Sequence, residues 1–255
     1  MMQNPFVYGE IVPGEAFVDR EVELDRLVTD LAGGQKVFLI SPRRYGKSSL
    51  VRRALDALGR QGALTAEVTV SSYSSYVAFL EGYAGALAAL DTKWERTKNW
   101  FGTAIRSTRP ELRYEPKDTG LGRFSVAFPL ARTERDIARL ANEVFALPGQ
   151  LADARKRTVV VALDEFQAVG GFNGGSVEHA LRAAAQQQRR VGYVFAGSEP
   201  SLMEQMIGPK RPFYKAGPVM RLEKIPADVF AESIDRRFTR TGFRAEEGLG
   251  AAIVD

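Results

Sequence analysis

Ser41-Pro42-Arg43-Arg44-Tyr45-Gly46-Lys47-Ser48 follows directly on the apolar run Val37-Phe38-Leu39-Ile40. A buried strand that ends in a tight loop, closed by the start of a helix, gathers backbone N–H groups into a concavity of partial positive charge. Polyphosphate oxygens fill such a concavity. The spacing is that of a phosphate-binding loop in all but its first glycine, where Ser41 stands. Pro42, Arg43, Arg44, Tyr45, Gly46, Lys47, Ser48 and Ser49 are therefore candidate nucleotide-binding residues. Lys47 is expected to reach the β and γ phosphates, and the Ser48 hydroxyl to enter the shell of a magnesium ion. Ser41 precedes a proline, which biases it to the extended conformation wanted at the end of a strand. The plainer alternative is a basic turn between a strand and a helix.

A second signal lies 117 residues beyond Lys47, where the apolar run Thr158-Val159-Val160-Val161-Ala162-Leu163 ends in Asp164-Glu165. Alternation along a strand sends neighbouring side chains in different directions, so Asp164 is expected on the metal and Glu165 on a water beyond the γ phosphate. That is Walker B chemistry. Taken singly, an apolar run ending in two acids is also how a strand meets solvent. The two signals in this order, each with a buried strand behind it, predict Mg-dependent nucleoside triphosphate binding and hydrolysis, with Glu165 and Lys47 catalytic and Ser48 and Asp164 on the metal.

Composition narrows the alternatives. The 255 residues suffice for one good core and a small second module. Lys and Arg number 35 against 31 Asp and Glu, a net charge of +4, too slight to name a partner. The absence of cysteine removes disulfides, thiolate nucleophiles and cysteine-held zinc, and one histidine, His179, excludes a histidine-rich metal site. The N-terminus carries no secretory pattern, and no apolar run approaches the roughly 20 residues that span a bilayer. A cytoplasmic protein without a membrane partner is expected.

Short β-branched runs alternate with amphipathic stretches, which predicts a parallel sheet covered by helices on both faces. Strands are expected near Lys36–Ser41, Ala66–Val70, Thr158–Leu163, Val191–Gly197 and Val219–Leu222. A helix from Lys47 to Leu58 would bury Leu50, Val51, Ala54, Leu55 and Leu58, with Gly59 as its C-cap. Another should run from Arg20 to Leu31, with Asp19 as N-cap and Val22, Leu24, Leu27 and Leu31 on or near one face. The long stretch between the two motifs predicts an insert at about 91–130. Helices are expected at Tyr76–Leu90, Lys93–Ile105 and Glu134–Leu147, and a hairpin at Leu112–Glu115 and Arg123–Phe128. Trp94, Trp100 and Phe101 fit a hydrophobic core better than a base-stacking platform, and Arg189-Arg190 fits a solvated helix end.

Asn4-Pro5-Phe6 through Arg20-Glu21, the loop at 41–48, Leu163-Asp164-Glu165-Phe166-Gln167, Ala196-Gly197-Ser198 with Met203 and Met206, and Arg211-Pro212-Phe213-Tyr214 together resemble the archaeal-type P-loop ATPases of the AAA+/STAND assemblage. These are relatives of the archaeal replication initiators. The resemblance spans about residues 4–245. It implies a three-layer α/β fold with a five-stranded parallel sheet of order 5-1-4-3-2, and domains at 1–225 (ATPase) and 226–255 (the start of a helical lid). It also implies that the nucleotide is ATP, and places Ser198 in a sensor role near the γ phosphate; a helix cap is the alternative. In the same family the segment before the first helix closes over the adenine, so Phe17 and Val18 would contact the base and Arg20 would anchor the loop; a strap packing on the core is the alternative. Arg211 is a candidate arginine finger toward a neighbouring subunit, against a structural ion pair. Family members continue into a further module beyond the lid, which this chain, ending at Asp255, is expected to lack. A nucleic-acid partner follows from kinship and slight basicity alone. Two other functions stay open: a scaffold that binds nucleotide without turnover, and a small-molecule kinase, which the adjacent acids disfavour.

Overall fold

The hydrophobic pattern resolves into a central sheet whose inner strands are buried on both faces. The computed structural model describes residues 18–90, 100–108, 110–115, 123–131, 133–172, 176–240, 246 and 248–254. Five parallel strands form the sheet: β1 (Lys36–Ile40), β2 (Leu64–Thr69), β5 (Val159–Asp164), β6 (Val191–Gly197) and β7 (Val219–Arg221). Their spatial order is β2-β5-β6-β1-β7. Numbered among themselves they read 5-1-4-3-2 from one edge, as expected. Every residue of β5 and β6 is buried, the signature of central parallel strands.

Side-chain alternation divides the core in two. Phe38, Ile40, Val161, Leu163, Tyr193 and Phe195 face one layer, and Val37, Leu39, Val160, Ala162, Val194 and Ala196 the other. The second layer holds α1 (Glu21–Ala32) and α2 (Lys47–Arg60). Leu50, Val51, Ala54, Leu55 and Leu58 of α2 are buried, and each Leu or Val so removed from water contributes about 1.5–3 kcal/mol before entropy is charged. The first layer holds α3 (Tyr76–Ala88), α4 (Glu134–Arg155) and α5 (Ser176–Gln187). The antiparallel hairpin of β3 (Glu111–Glu115) and β4 (Arg123–Ala127) packs on α3. Near it the N–H of Phe128 donates to Glu81 at 2.8 Å. A short α6 (Pro200–Ile207) follows β6. Beyond β7, α7 (Ala227–Arg240) and α8 (Leu249–Val254) pack on each other, with the Gly250 N–H donating to Asp235 at 3.0 Å.

Several boundaries differ from expectation for identifiable reasons. Arg20, not Asp19, is the N-cap of α1, because Asp19 has φ +50° and lies outside the helix. Val22 is 80% exposed and off the buried stripe. α2 runs through Gly59 to Arg60, and Gln61 caps it. Thr133 caps α4 through a reciprocal capping box with Asp136, and the helix passes through Pro148 to end at Arg155. Proline removes one helix hydrogen bond, but Leu147, Pro148, Leu151 and Ala152 are all buried, and that packing outweighs the local preference. Phe101 is fully buried and Trp100 packs beside it in the first layer; Trp94 and the hairpin turn lie outside the described residues.

Candidate functional site

Three strand ends define the site, and the loop between β1 and α2 forms its floor. The Ser41 N–H donates to the Gly197 carbonyl at 3.2 Å, so the pairing of β1 with β6 continues into the first loop position. Gly46 is the N-cap of α2 with φ +83° and offers no capping side chain, nor does the first turn carry an acid. The helix N-terminus is therefore left to an external anion. Arg44 also takes a left-handed φ of +71°, which turns the chain back toward the helix. Ser41 does not, which is why serine is tolerated where a glycine is usual. Pro42, Arg43 and Arg44 are exposed, Tyr45, Gly46 and Ser48 half-buried, and Lys47 and Ser49 buried.

Lys47 crosses to the acid pair. Its Nζ donates to Asp164 Oδ1 and lies 3.5 Å from Glu165 Oε1. The Ser48 hydroxyl donates to Asp164 Oδ2 at 3.0 Å, and the Glu165 N–H to Asp164 Oδ1 at 2.9 Å. β6 lies between the strands that carry the loop and the acids, and its end supplies Ser198. That hydroxyl donates to Glu165 Oε2 at 2.6 Å, and Glu199, not Ser198, is the N-cap of α6.

The two carboxylates diverge by a different device from simple strand alternation. β5 ends at Asp164, and Glu165 turns the chain with φ +51°, a region that non-glycine residues enter rarely. A short 3-10 turn, Phe166–Gly171, follows and brings Gln167 back onto the same carboxylate, where its Nε2 donates to Glu165 Oε2 at 2.6 Å. Burial alone would raise the Glu165 pKa, but the hydrogen bonds from Ser198 and Gln167 and the Lys47 charge outweigh it and hold the carboxyl below its ordinary value. Gln167 stands in the quoted motif, yet spacing gives no sign of its role; only the backward turn does.

The remaining candidates separate from this cluster. Phe17 lies outside the described residues, and Val18 is half-buried. Arg20 is buried and ties the start of α1 to the end of β7: Nη1 donates to Glu23 at 2.8 Å and Nη2 to the Glu223 carbonyl. Arg211 donates to Glu178 Oε1 at 2.7 Å, an ion pair within the chain. His179 is exposed on α5. Among the described residues no three His, Cys, Asp or Glu side chains group into a metal cage. A hydroxyl and a carboxylate, Ser48 and Asp164, are the hard oxygen donors that magnesium takes when water and phosphate supply the rest.

No family model matches the chain, and no curated protein matches it by sequence. Solved structures do match. A Walker-type ATPase of Pyrococcus abyssi superposes with a TM-score of 0.63 at 16% identity, covering 98% of this chain and 66% of that one. The Orc1 protein of Aeropyrum pernix, solved in complex with DNA, gives 0.58 at 14% over 91% of this chain and 52% of its own. Cdc6p of Pyrobaculum aerophilum gives 0.55 at 15%, over 98% and 57%. The fold is that of archaeal P-loop ATPases related to replication initiators. In an open parallel α/β sheet ligands bind in the crevice outside the carboxyl ends of the strands, and the loop after β1 and the ends of β5 and β6, where the cluster built above lies, stand at those ends. The chain spans between 52% and 66% of the length of these three proteins. Among the described residues no helix is long and apolar enough to cross a membrane.

Proposed function

We propose that this chain binds ATP with magnesium and hydrolyses it, and that the two nucleotide states act as a conformational switch for the helices after β7. The observation that carries the proposal is the convergence of Lys47, Ser48, Asp164, Glu165 and Ser198 at three strand ends over an uncapped helix N-terminus. Without a phosphate, Lys47 is held by the acids. A γ phosphate offers it a stronger partner and frees Asp164, which with Ser48 would hold the metal. A magnesium ion so placed would neutralise charge on the phosphates.

Glu165 orients the attacking water with an ionised carboxylate. Its lowered pKa keeps it charged at neutral pH but weakens it as a base, so positioning outweighs proton abstraction. Ser198 fixes the direction of that carboxylate. We further propose that 1–225 is the ATPase domain and that α7 and α8 open a helical lid.

The experiment is phosphate release by wild type and Glu165→Gln, with nucleotide retention measured in parallel. Turnover should fall by about 10²–10⁴ while nucleotide stays bound. Wild type that retains ATP without releasing phosphate would make the chain a nucleotide-binding scaffold instead. Repeating the assay with duplex DNA over a salt series tests the nucleic-acid partner, since phosphate contacts weaken steeply with salt.

A further inference from the structure

The strand ends away from the crevice carry charge that the nucleotide site does not use. Register sets Leu64 of β2, Val159 of β5 and Val191 of β6 in one row, so the segments entering these strands emerge side by side, about 4.8 Å apart. Backbone contacts join them. The Val159 N–H donates to the Arg190 carbonyl at 3.1 Å, the Leu64 N–H to the Thr158 carbonyl at 2.9 Å, and the Arg157 Nε to the Gly62 carbonyl at 2.6 Å. Beside β6, a Cβ on Gly34 would stand 2.3 Å from the Arg189 carbonyl oxygen. Residues 33–35, 59–63, 153–158 and 186–190 thus form one face, which holds Arg60, Arg155, Lys156, Arg157, Arg189 and Arg190 against a single acid, Asp153. That surplus exceeds the +4 of the whole chain, so the rest of the molecule has no net positive charge.

Helix dipoles explain only part of this. α2 and α4 end here, and Arg60 and Arg155 in their last turns complement the partial negative charge of each C-terminus. Lys156, Arg157, Arg189 and Arg190 are exposed and lie beyond the helices. Among the described residues no carboxylate pairs with Arg60, Lys156, Arg189 or Arg190. Like charges gathered without partners repel one another and cost stability, so the ligand this face fits is a polyanion. All but one of the six cations are arginine, whose planar fork matches phosphate oxygens, and exposed Gln35, Gln61, Gln186 and Gln187 add neutral donors. These segments hold no aromatic residue on which unpaired bases could stack, and none of the exposed large apolar side chains that would anchor a protein or enter a membrane. We propose that this end of the sheet, opposite the nucleotide crevice, docks the phosphate backbone of a nucleic-acid duplex.

Binding of a fluorescein-labelled DNA duplex is followed by anisotropy over a salt series, without ATP, so the outcome is independent of the hydrolytic reading. Wild type is compared with K156A/R189A/R190A, which spares Arg157 and its bond to Gly62. A second variant, R135A/R139A/K224A, removes the same charge from exposed residues at the start of α4 and after β7. The first should bind about 10–100-fold more weakly at low salt and lose about 0.9 per removed contact from the slope of log affinity against log salt; the second should bind as wild type does. Single Arg189→Gln and Arg190→Gln variants, each expected to lower the slope by about one, carry the test if the triple variant unfolds. Equal losses in the two triple variants overturn the proposal, as does a duplex affinity that does not change with salt. Tighter binding of single-stranded DNA, poly-L-glutamate or phosphatidylglycerol vesicles than of the duplex at the same salt also overturns it, and assigns the face to a single strand, an acidic protein or a membrane.

Discussion

Ser198 Oγ donates to Glu165 Oε2 at 2.6 Å, and through this one bond the end of β6 governs the acid that follows β5. Its loss is testable directly. Ser198→Ala should lower phosphate release about tenfold, in line with a hydrogen bond to a charged group. The pH profile carries the sign. Because the bond lowers the Glu165 pKa, removing it should move the acid limb to higher pH, whereas a merely structural loss would lower the plateau and leave the limb in place.

Lys47→Met should weaken ATP binding by about 10–100-fold, as expected when a charge-assisted contact to phosphate is removed. It also leaves Asp164 without its cation. Ser48 and the Glu165 N–H still serve that carboxylate, so the loss of stability should be about 1–2 kcal/mol, below the cost of orphaning a fully enclosed charge. Urea unfolding without nucleotide measures it.

Gly197→Ala should destabilise the protein by about 1–3 kcal/mol through overpacking against Met203 and Gln167. Thermal unfolding should shift down about 2–4 °C per kcal/mol for a chain of this size. Catalysis should fall as well, because the added methyl pushes the Gln167 amide off Glu165.

Glu178 provides a pH test of opposite sign to Glu165. Burial raises its pKa, and the Arg211 guanidinium pulls it back without cancelling the effect. A carboxyl with a raised folded pKa contributes stability that is present below its unfolded pKa and lost as pH rises through the folded one. Glu178→Gln should therefore gain on wild type as pH climbs from 4 to 8, read as the difference in urea midpoints. Glu165, with a lowered pKa, contributes stability above its unfolded pKa that is lost as pH falls.

Much of this was legible in the chain. The five strands follow from apolar runs bounded by turns, most plainly in β5 and β6, which are buried on both faces and have no polar side to blur the pattern, while their order came from the family resemblance and not from the runs themselves. The loop and the acid pair stood out through spacing that phosphate chemistry imposes. What escaped was conformational or tertiary. Nothing in Arg44 or Glu165 announces a left-handed φ, since both are residues that normally avoid it. Pro148 signals a helix end, and only the burial of its neighbours overrules it. Gln167 meets Glu165 because the intervening turn folds back, and sequence distance alone does not encode that.

The ordinary backbone angle at Ser41 has a wider bearing. Conformational freedom in this loop is demanded at Gly46 and, unexpectedly, at Arg44, while the opening residue needs only to extend the β1 pairing through its amide. A consensus written around an invariant leading glycine would pass over chains built this way. Related proteins could exchange serine there for alanine or threonine with the cradle unchanged.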